Sequence, residues 1–384
     1  MLQRVLERAG RFGVLGVFTA AAALVAATAA GAATSVNVAC GDSAGLVAAV
    51  NAVNAGGGGS INLGAGCTYS LTAPNNTAMG PTGLPVVKST ITINGKNATI
   101  AGNKSNFRII AIDGSSGGAL TLNGVTIRGG HISGMMAGGA GGGILNLSGT
   151  LTLNSAVVKD NYASDAGGGI ANGFGATATL NKSEVSWNTV PETGSGGGGI
   201  LGIAASLTLN QSVVDHNNGP GGGGIASGNG NGGGPGSSIT LNKSVISNNT
   251  ASSPDGGGGG IANGGTLVSN NSQITGNTAD GSIGGGLLNH ATATLNKTVV
   301  AGNDVPDGLG GGIANTTFNA ALTATLVLNT SQVIANRADG GAGGILNVSF
   351  DPAGTSSVTL HHTNVFLNTP DNCEPPGSVS GCIG

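Results

Sequence analysis

Aromatic and charged side chains are both scarce in this chain of 384 residues, at 3% and 8%. One Trp, two Tyr and seven Phe give no series of rings on which bases could stack, and the Lys and Arg form no basic stripe. Nucleic acid is therefore not expected as a partner. The five His are scattered and no C-x-x-C pair is present, which leaves no basis for a zinc site or a catalytic triad. Beyond residue 33 no apolar run is long enough to span a bilayer. The repeats hold no ten-residue stretch of helical periodicity, which excludes helical and leucine-rich arrays. Downstream of residue 33 there are ten Lys and Arg against fifteen Asp and Glu, a net near −5, so the overall field does not favour a polyanion.

What the chain has instead is glycine, 76 residues of it, much of it set in a repeated phrase. The phrase is G-G-G-I-x-N, a variable gap, then L-N-x-S-x-V-x-x-N. Its Ile position is filled by Ile144, Ile170, Ile200, Ile225, Ile261, Leu287, Ile313 and Ile345, in steps of 25 to 36 residues. Its anchor Leu is filled by Leu153, Leu180, Leu209, Leu241, Ser269, Leu295, Leu328 and Leu360. Five residues after each anchor stands Val or Ile, and eight residues after it stands Asn, in every copy. A period of this length marks a solenoid or an array. Apolar and polar residues alternate in short runs such as Leu151-Thr152-Leu153, which reads as strand. Three short strands per repeat suit one coil of a parallel β-helix. The expected fold is therefore all-β, a single solenoid whose Ile, Leu and Val positions stack inward as aliphatic columns. The recurrent Asn are expected at bends, in left-handed backbone, with stacked amides bonding between coils.

On these phrases the chain resembles the right-handed parallel β-helix proteins of the pectate-lyase-like superfamily. G-G-G-I and V-x-x-N are similar to the G-G-A-I and F-x-x-N repeats of polymorphic outer-membrane proteins, with Val or Ile in place of Phe. The resemblance implies a right-handed coil. It implies little about activity, because that superfamily mixes lyases, hydrolases and adhesins. The calcium-binding Asp rows and the basic residue that pectate-lyase-like catalysis uses have no counterpart on the glycine strand here.

Residues 1–33 read as a secretory signal, with Arg4, Arg8 and Arg11 before an apolar run and an Ala-Gly-Ala cleavage site. Residues 34–384 are then the exported β-helix domain, with the regular repeats at 141–369. The chain ends shortly after the repeats without an apolar tail or a barrel-forming segment, so release or loose surface association is expected. Four Cys allow three pairings. About ten coils at ~4.8 Å put the ends of the solenoid roughly 50 Å apart, and a disulfide needs Cα atoms within about 7 Å. Cys40–Cys67 and Cys373–Cys382 are the feasible pairs, one at each end. A helix is expected at 42–55, capped by Asp42 or Ser43, with Leu46, Val47, Val50 and Val53 laid over the open hydrophobic end. Residues 370–384 are expected to close the other end.

Two columns could carry chemistry. On the third strand of the early repeats, positions four, six and seven after the anchor hold Glu184; Lys159 and Asp215; and Asp160, Trp187 and His216. Acid, base and the sole Trp gather nowhere else in the sequence. A Trp face beside carboxylates suits a sugar, and Asp160 and Asp215, two coils and so roughly 10 Å apart, approach the spacing of an inverting pair. The bland reading, solvated outward positions, weighs more heavily. The second column is the acids of the turns, Asp165, Glu192, Asp255, Asp280, Asp307 and Asp339, which would suit Ca²⁺ if they shared an edge. Their uneven offsets favour solubilising charge, and no other cofactor is expected. The first functional expectation is a secreted, monomeric, non-catalytic β-helix protein that binds an extracellular glycan, wall or cell-surface component through Trp187, His216 and Lys159. The alternatives are a polysaccharide lyase or hydrolase using Asp160, Asp215 and Glu184, and a structural or adhesive surface protein.

Overall fold

The computed structural model describes residues 34–134, 136–228, 236–253, 257–318 and 323–383. The signal segment expected at 1–33 and the acid Asp255 lie outside them. One coil shows the plan of the rest. The strand Ile144–Leu147 leads through a turn to Thr150–Asn154, then to Val157–Lys159 and to the two-residue strand Tyr162–Ala163. Copies of the first stack into a ten-stranded sheet that runs from Ile110–Asp113 to Cys373–Glu374. Copies of the second and third share a 21-stranded sheet. Pairing is parallel and in register, so that Leu153 meets Leu180, Leu180 meets Leu209, and Val158 meets Val185.

This register fills the core with aliphatic columns. Ile144, Leu151, Leu153 and Val158 of one coil are fully buried, as are Ile170, Ala178, Leu180 and Val185 of the next. Each such Val, Leu or Ile contributes about 1.5–3 kcal/mol by leaving water. The column admits a polar break at Ser269, whose hydroxyl is satisfied by Thr298 Oγ1 at 2.9 Å.

The repeated Asn are inside the wall rather than at its left-handed bends. Asn188 donates from Nδ2 to Asn217 Oδ1 at 2.9 Å and to the Val158 carbonyl at 3.0 Å. Its Oδ1 accepts from the backbone N–H and the Nδ2 of Asn161. The same ladder runs on to Asn368. The left-handed residue is the one before each Asn: Asp160, Trp187, His216, Asn248, Gly276, Gly302, Ala335 and Leu367, with φ from 51° to 64°. The expectation of left-handed Asn is corrected on that point. A buried amide that must reach four partners needs extended backbone, and the bend is displaced by one residue. A second amide ladder runs along the outer surface from Asn37 to Asn329.

The ends are treated differently. The helix Ser43–Ala55 is capped by Asp42, whose side chain accepts from the Gly45 N–H at 2.7 Å. It buries Leu46, Ala49, Val50 and Val53, while Val47 lies at the margin. Cys40–Cys67 links this end with Cα atoms 5.4 Å apart, and Cys373–Cys382 links the other at 6.3 Å. At the C-terminal end Cys373–Glu374 pairs with Ile345–Leu346, and Val379 is buried. Val358, Leu360 and Val365 of the last coil are only partly buried. The terminal segment therefore covers one side of that coil, not all of it.

Candidate functional site

The fourth, two-residue strand has no place in the three-strand plan, and it makes the site. It continues the alternation past the buried Asn, one residue outward and one inward. The inward residue is apolar: Ile132, Ala163, Val190, Ala251, Ala279, Val305 and Ala338 are all buried. The outward residue is His131 or Tyr162 in the early coils, and Thr189, Asn218 or Thr250 further on. His131 pairs with Tyr162 across adjacent coils, and their rings stack at 4.3 Å with an interplanar angle of 15°.

Beside this strand runs the left-handed column with Asp160 and Trp187. Between the two lies a groove of about 320 Å³, lined by Lys104, His131, Asp160, Tyr162, Trp187 and Thr189. Its outer wall is the indole of Trp187, 56% exposed, which stacks on His216 at 4.2 Å and 12°. Two ring pairs on successive coils thus frame one polar trough. From Lys104 to His216 the chain passes four coil-to-coil steps, roughly 19 Å at ~4.8 Å each.

The electrostatics are local and mixed. Burial lowers the affinity of His131 for a proton, and the Lys104 ammonium lowers it further, so this imidazole is held neutral at pH 7. A neutral imidazole, a phenol, an ammonium and a carboxylate thus surround one trough. Asp215 stands outside it. Its carboxylate contacts His216 Nδ1 and accepts from Ser247 Oγ at 2.8 Å and Asn248 Nδ2 at 3.0 Å. Burial would push its carboxyl up, but these hydrogen bonds outweigh burial and hold it below the usual range.

Of the residues singled out in the sequence, Asp160 and Trp187 line the groove, and His216 backs its wall. Asp215 is not among the lining residues, so the two Asp do not face each other across one cleft. Trp187 occupies the intervening coil. Glu184 accepts from Ser186 Oγ, and Lys159 stands in register with Arg128 and Ser186; neither lines the groove. Among the described residues the turn acids form no cluster of three. Asp165 accepts from Ser195 Oγ at 3.0 Å, and Asp339 pairs with Arg337 at 2.5 Å. Asp280 and Asp307 sit in separate turns. Among the described residues no three His, Cys, Asp or Glu side chains converge as metal ligands. Among the described residues, too, no helix is long and apolar enough to cross a membrane. Lys104, His131 and Tyr162 were missed. Lys104 and His131 precede the regular repeats. Tyr162 follows the Asn at which the phrase stops, although the small residue two places after each Asn was a readable signal.

No protein-family model matches the chain, and no curated protein matches it. Among solved structures it is similar to the A-module of a mannuronan C-5 epimerase from Azotobacter vinelandii. The TM-score is 0.55 at 16% identity, over 91% of this chain and all of that one. At that identity the likeness establishes the fold alone: a right-handed parallel β-helix.

Proposed function

We propose that this chain is a secreted β-helix protein that binds an extracellular polysaccharide in the groove between Tyr162 and Trp187. The observation that carries the reading is the pair of ring stacks, His131–Tyr162 and Trp187–His216, on the two sides of one polar trough. A sugar ring offers an apolar face to an aromatic surface and hydroxyls at its rim. Lys104, Asp160 and Thr189 supply donors and acceptors for that rim. The exposure of Trp187 leaves its ring available to a ligand. The two disulfides suit an oxidising compartment.

A second reading is favoured by one specific observation, the neutral His131 beside Tyr162 and Lys104. Such a set can move a proton on a sugar carbon. Imidazole accepts it, the phenol donates one, and the ammonium balances the charge that forms between. The structural neighbour, by its name, is an enzyme of mannuronan. The test is to incubate the purified protein with a panel of plant, bacterial and host polysaccharides, with and without Ca²⁺. Retention, new chain ends and solvent deuterium in the sugar are then followed together. Retention without reaction, lost at least tenfold in Trp187→Gly, is the expected result. New ends or deuterium incorporation that vanish in His131→Phe would replace binding by catalysis. No retention on any polysaccharide would remove the proposal.

A further inference from the structure

The wall of the groove is held from behind. Trp187 and His216 occupy the same position of successive coils, both in left-handed backbone at φ 56° and 51°. Their rings are stacked. His216 Nδ1 meets the Asp215 carboxylate, and the next coil fixes that carboxylate in turn through Ser247 and Asn248. The order is therefore Ser247 and Asn248, Asp215, His216, Trp187, running from the scaffold to the groove. Nothing in the solenoid requires it. The same positions hold Gly276 and Gly302 in later coils, and Ala301 where Asp215 stands here.

We propose that Asp215 is a positioning residue for the groove: it fixes the imidazole of His216, and His216 fixes the indole of Trp187 as the groove's outer wall. The proposal rests on the reading of the groove as a polysaccharide site for its purpose, though not for its test. An exposed Trp on a bend would otherwise sample several rotamers, and ordering it on binding would weaken affinity. Asp215 orients the ring in the way a carboxylate orients a ligating or catalytic His, by taking one ring nitrogen and leaving the face free. The groups that face this imidazole are Asp215 on its own strand, Trp187 on one side and Asn248 on the other. The next titratable group is Glu184 one coil away, whose carboxylate accepts from Ser186, the residue in register with Asp215; Lys159 and Asp160 are two coils away.

Because the chain has a single Trp, its fluorescence reports this wall alone. The experiment uses the full protein without any ligand and measures emission anisotropy and acrylamide quenching at pH 7. Asp215→Asn is expected to lower the anisotropy and raise the quenching constant about twofold, with the thermal transition unchanged. His216→Gly, which keeps the left-handed backbone, is expected to do the same. His216→Phe restores a stacked ring that needs no carboxylate. In that background Asp215→Asn should change nothing. An unchanged anisotropy in Asp215→Asn would overturn the proposal, as would an effect that persists beside His216→Phe. The expected fluorescence pattern with no polysaccharide retained would keep the positioning role and sink the carbohydrate reading, so the two failures are distinguishable.

Discussion

Trp187 occupies a backbone conformation that an L-residue adopts at a cost of about 1–2 kcal/mol. Every copy of that position is left-handed, so the bend belongs to the coil and not to the residue. Later coils meet it with Asn248, Gly276, Gly302, Ala335 and Leu367, whereas the groove coils place Asp160, Trp187 and His216 there. The exposed Leu367 of the last coil shows that the bend tolerates a large side chain anywhere, so Trp187 is singled out by the groove it lines and not by its backbone. This is why Trp187→Gly separates function from stability. It removes the wall while leaving the solenoid as stable as before, or more so. The titratable residues give a second test at this scale. His131 in the fold resists a proton because it is partly buried and faces Lys104. The unfolded chain takes that proton up as pH falls through about 6.5, the ordinary His value, and the folded chain does so only at lower pH. His131 therefore withdraws stability below that pH and withdraws none above it. His131→Phe keeps a ring against Tyr162 without a proton to gain. Its unfolding free energy, relative to the parent, should rise as pH falls from 7 to 5. Parallel denaturation curves at the two pH values would show that His131 is not held neutral.

At the scale of one coil, the two halves of the repeat explain each other. The third Gly of each glycine phrase faces the Asn of the second phrase. A Cβ on Gly169 would stand 2.9 Å from the Asn188 amide and 2.8 Å from the Gly199 carbonyl, and the other copies repeat this geometry. The Gly is there because the amide ladder needs its space. Asn188→Ala leaves the Val158 carbonyl and the amides of Asn161 and Asn217 short of partners, at about 1–3 kcal/mol for each unsatisfied group. Gly169→Ala pushes the same amide out of line. Each change should cost more than 2 kcal/mol by denaturant titration. Combined, they should cost at least about 0.5 kcal/mol less than their sum, since the clash and the ladder share one side chain. Strict additivity would mean that the Gly serves the turn alone. The sequence showed that both phrases recur together, because fixed offsets are visible in a string of letters. It did not show that they touch, and it placed the left-handed bend on Asn188 where the structure has it on Trp187. The aliphatic columns and the two disulfides were legible, since each follows from spacing and the reach of a bond. The fourth strand was not. Two residues are too few to show alternation, and so the half of the groove made by His131 and Tyr162 stayed hidden while the Trp187 half was found.

At the scale of the molecule, the solenoid is a line of coils that touch only their neighbours, and such a chain loses structure from its ends. Each end is linked by a disulfide. The bridge Cys40–Cys67 spans 27 residues and Cys373–Cys382 spans 9. Loop-closure entropy assigns them about 3.5 and about 2.5 kcal/mol. The ends differ in cover as well. The helix Ser43–Ala55 leaves Ile61 and Tyr69 fully buried, while Val358, Leu360 and Val365 at the other end remain partly exposed. The weaker bridge therefore guards the less covered end. On reduction, amide exchange should quicken first across 355–366, then around Ile61 and Tyr69, and last in coils such as those of Leu180 and Leu209. Exchange that rises evenly along the chain would show that the coils unfold as one unit and that the bridges act on all of them. The groove lies away from both ends, between Lys104 and His216. A protein that frays inward should keep any polysaccharide it binds after both disulfides are reduced, whereas one that unfolds as a unit should lose it. The same reduced sample, measured by exchange and by retention, thus tests whether the site is placed where the fold is least able to open.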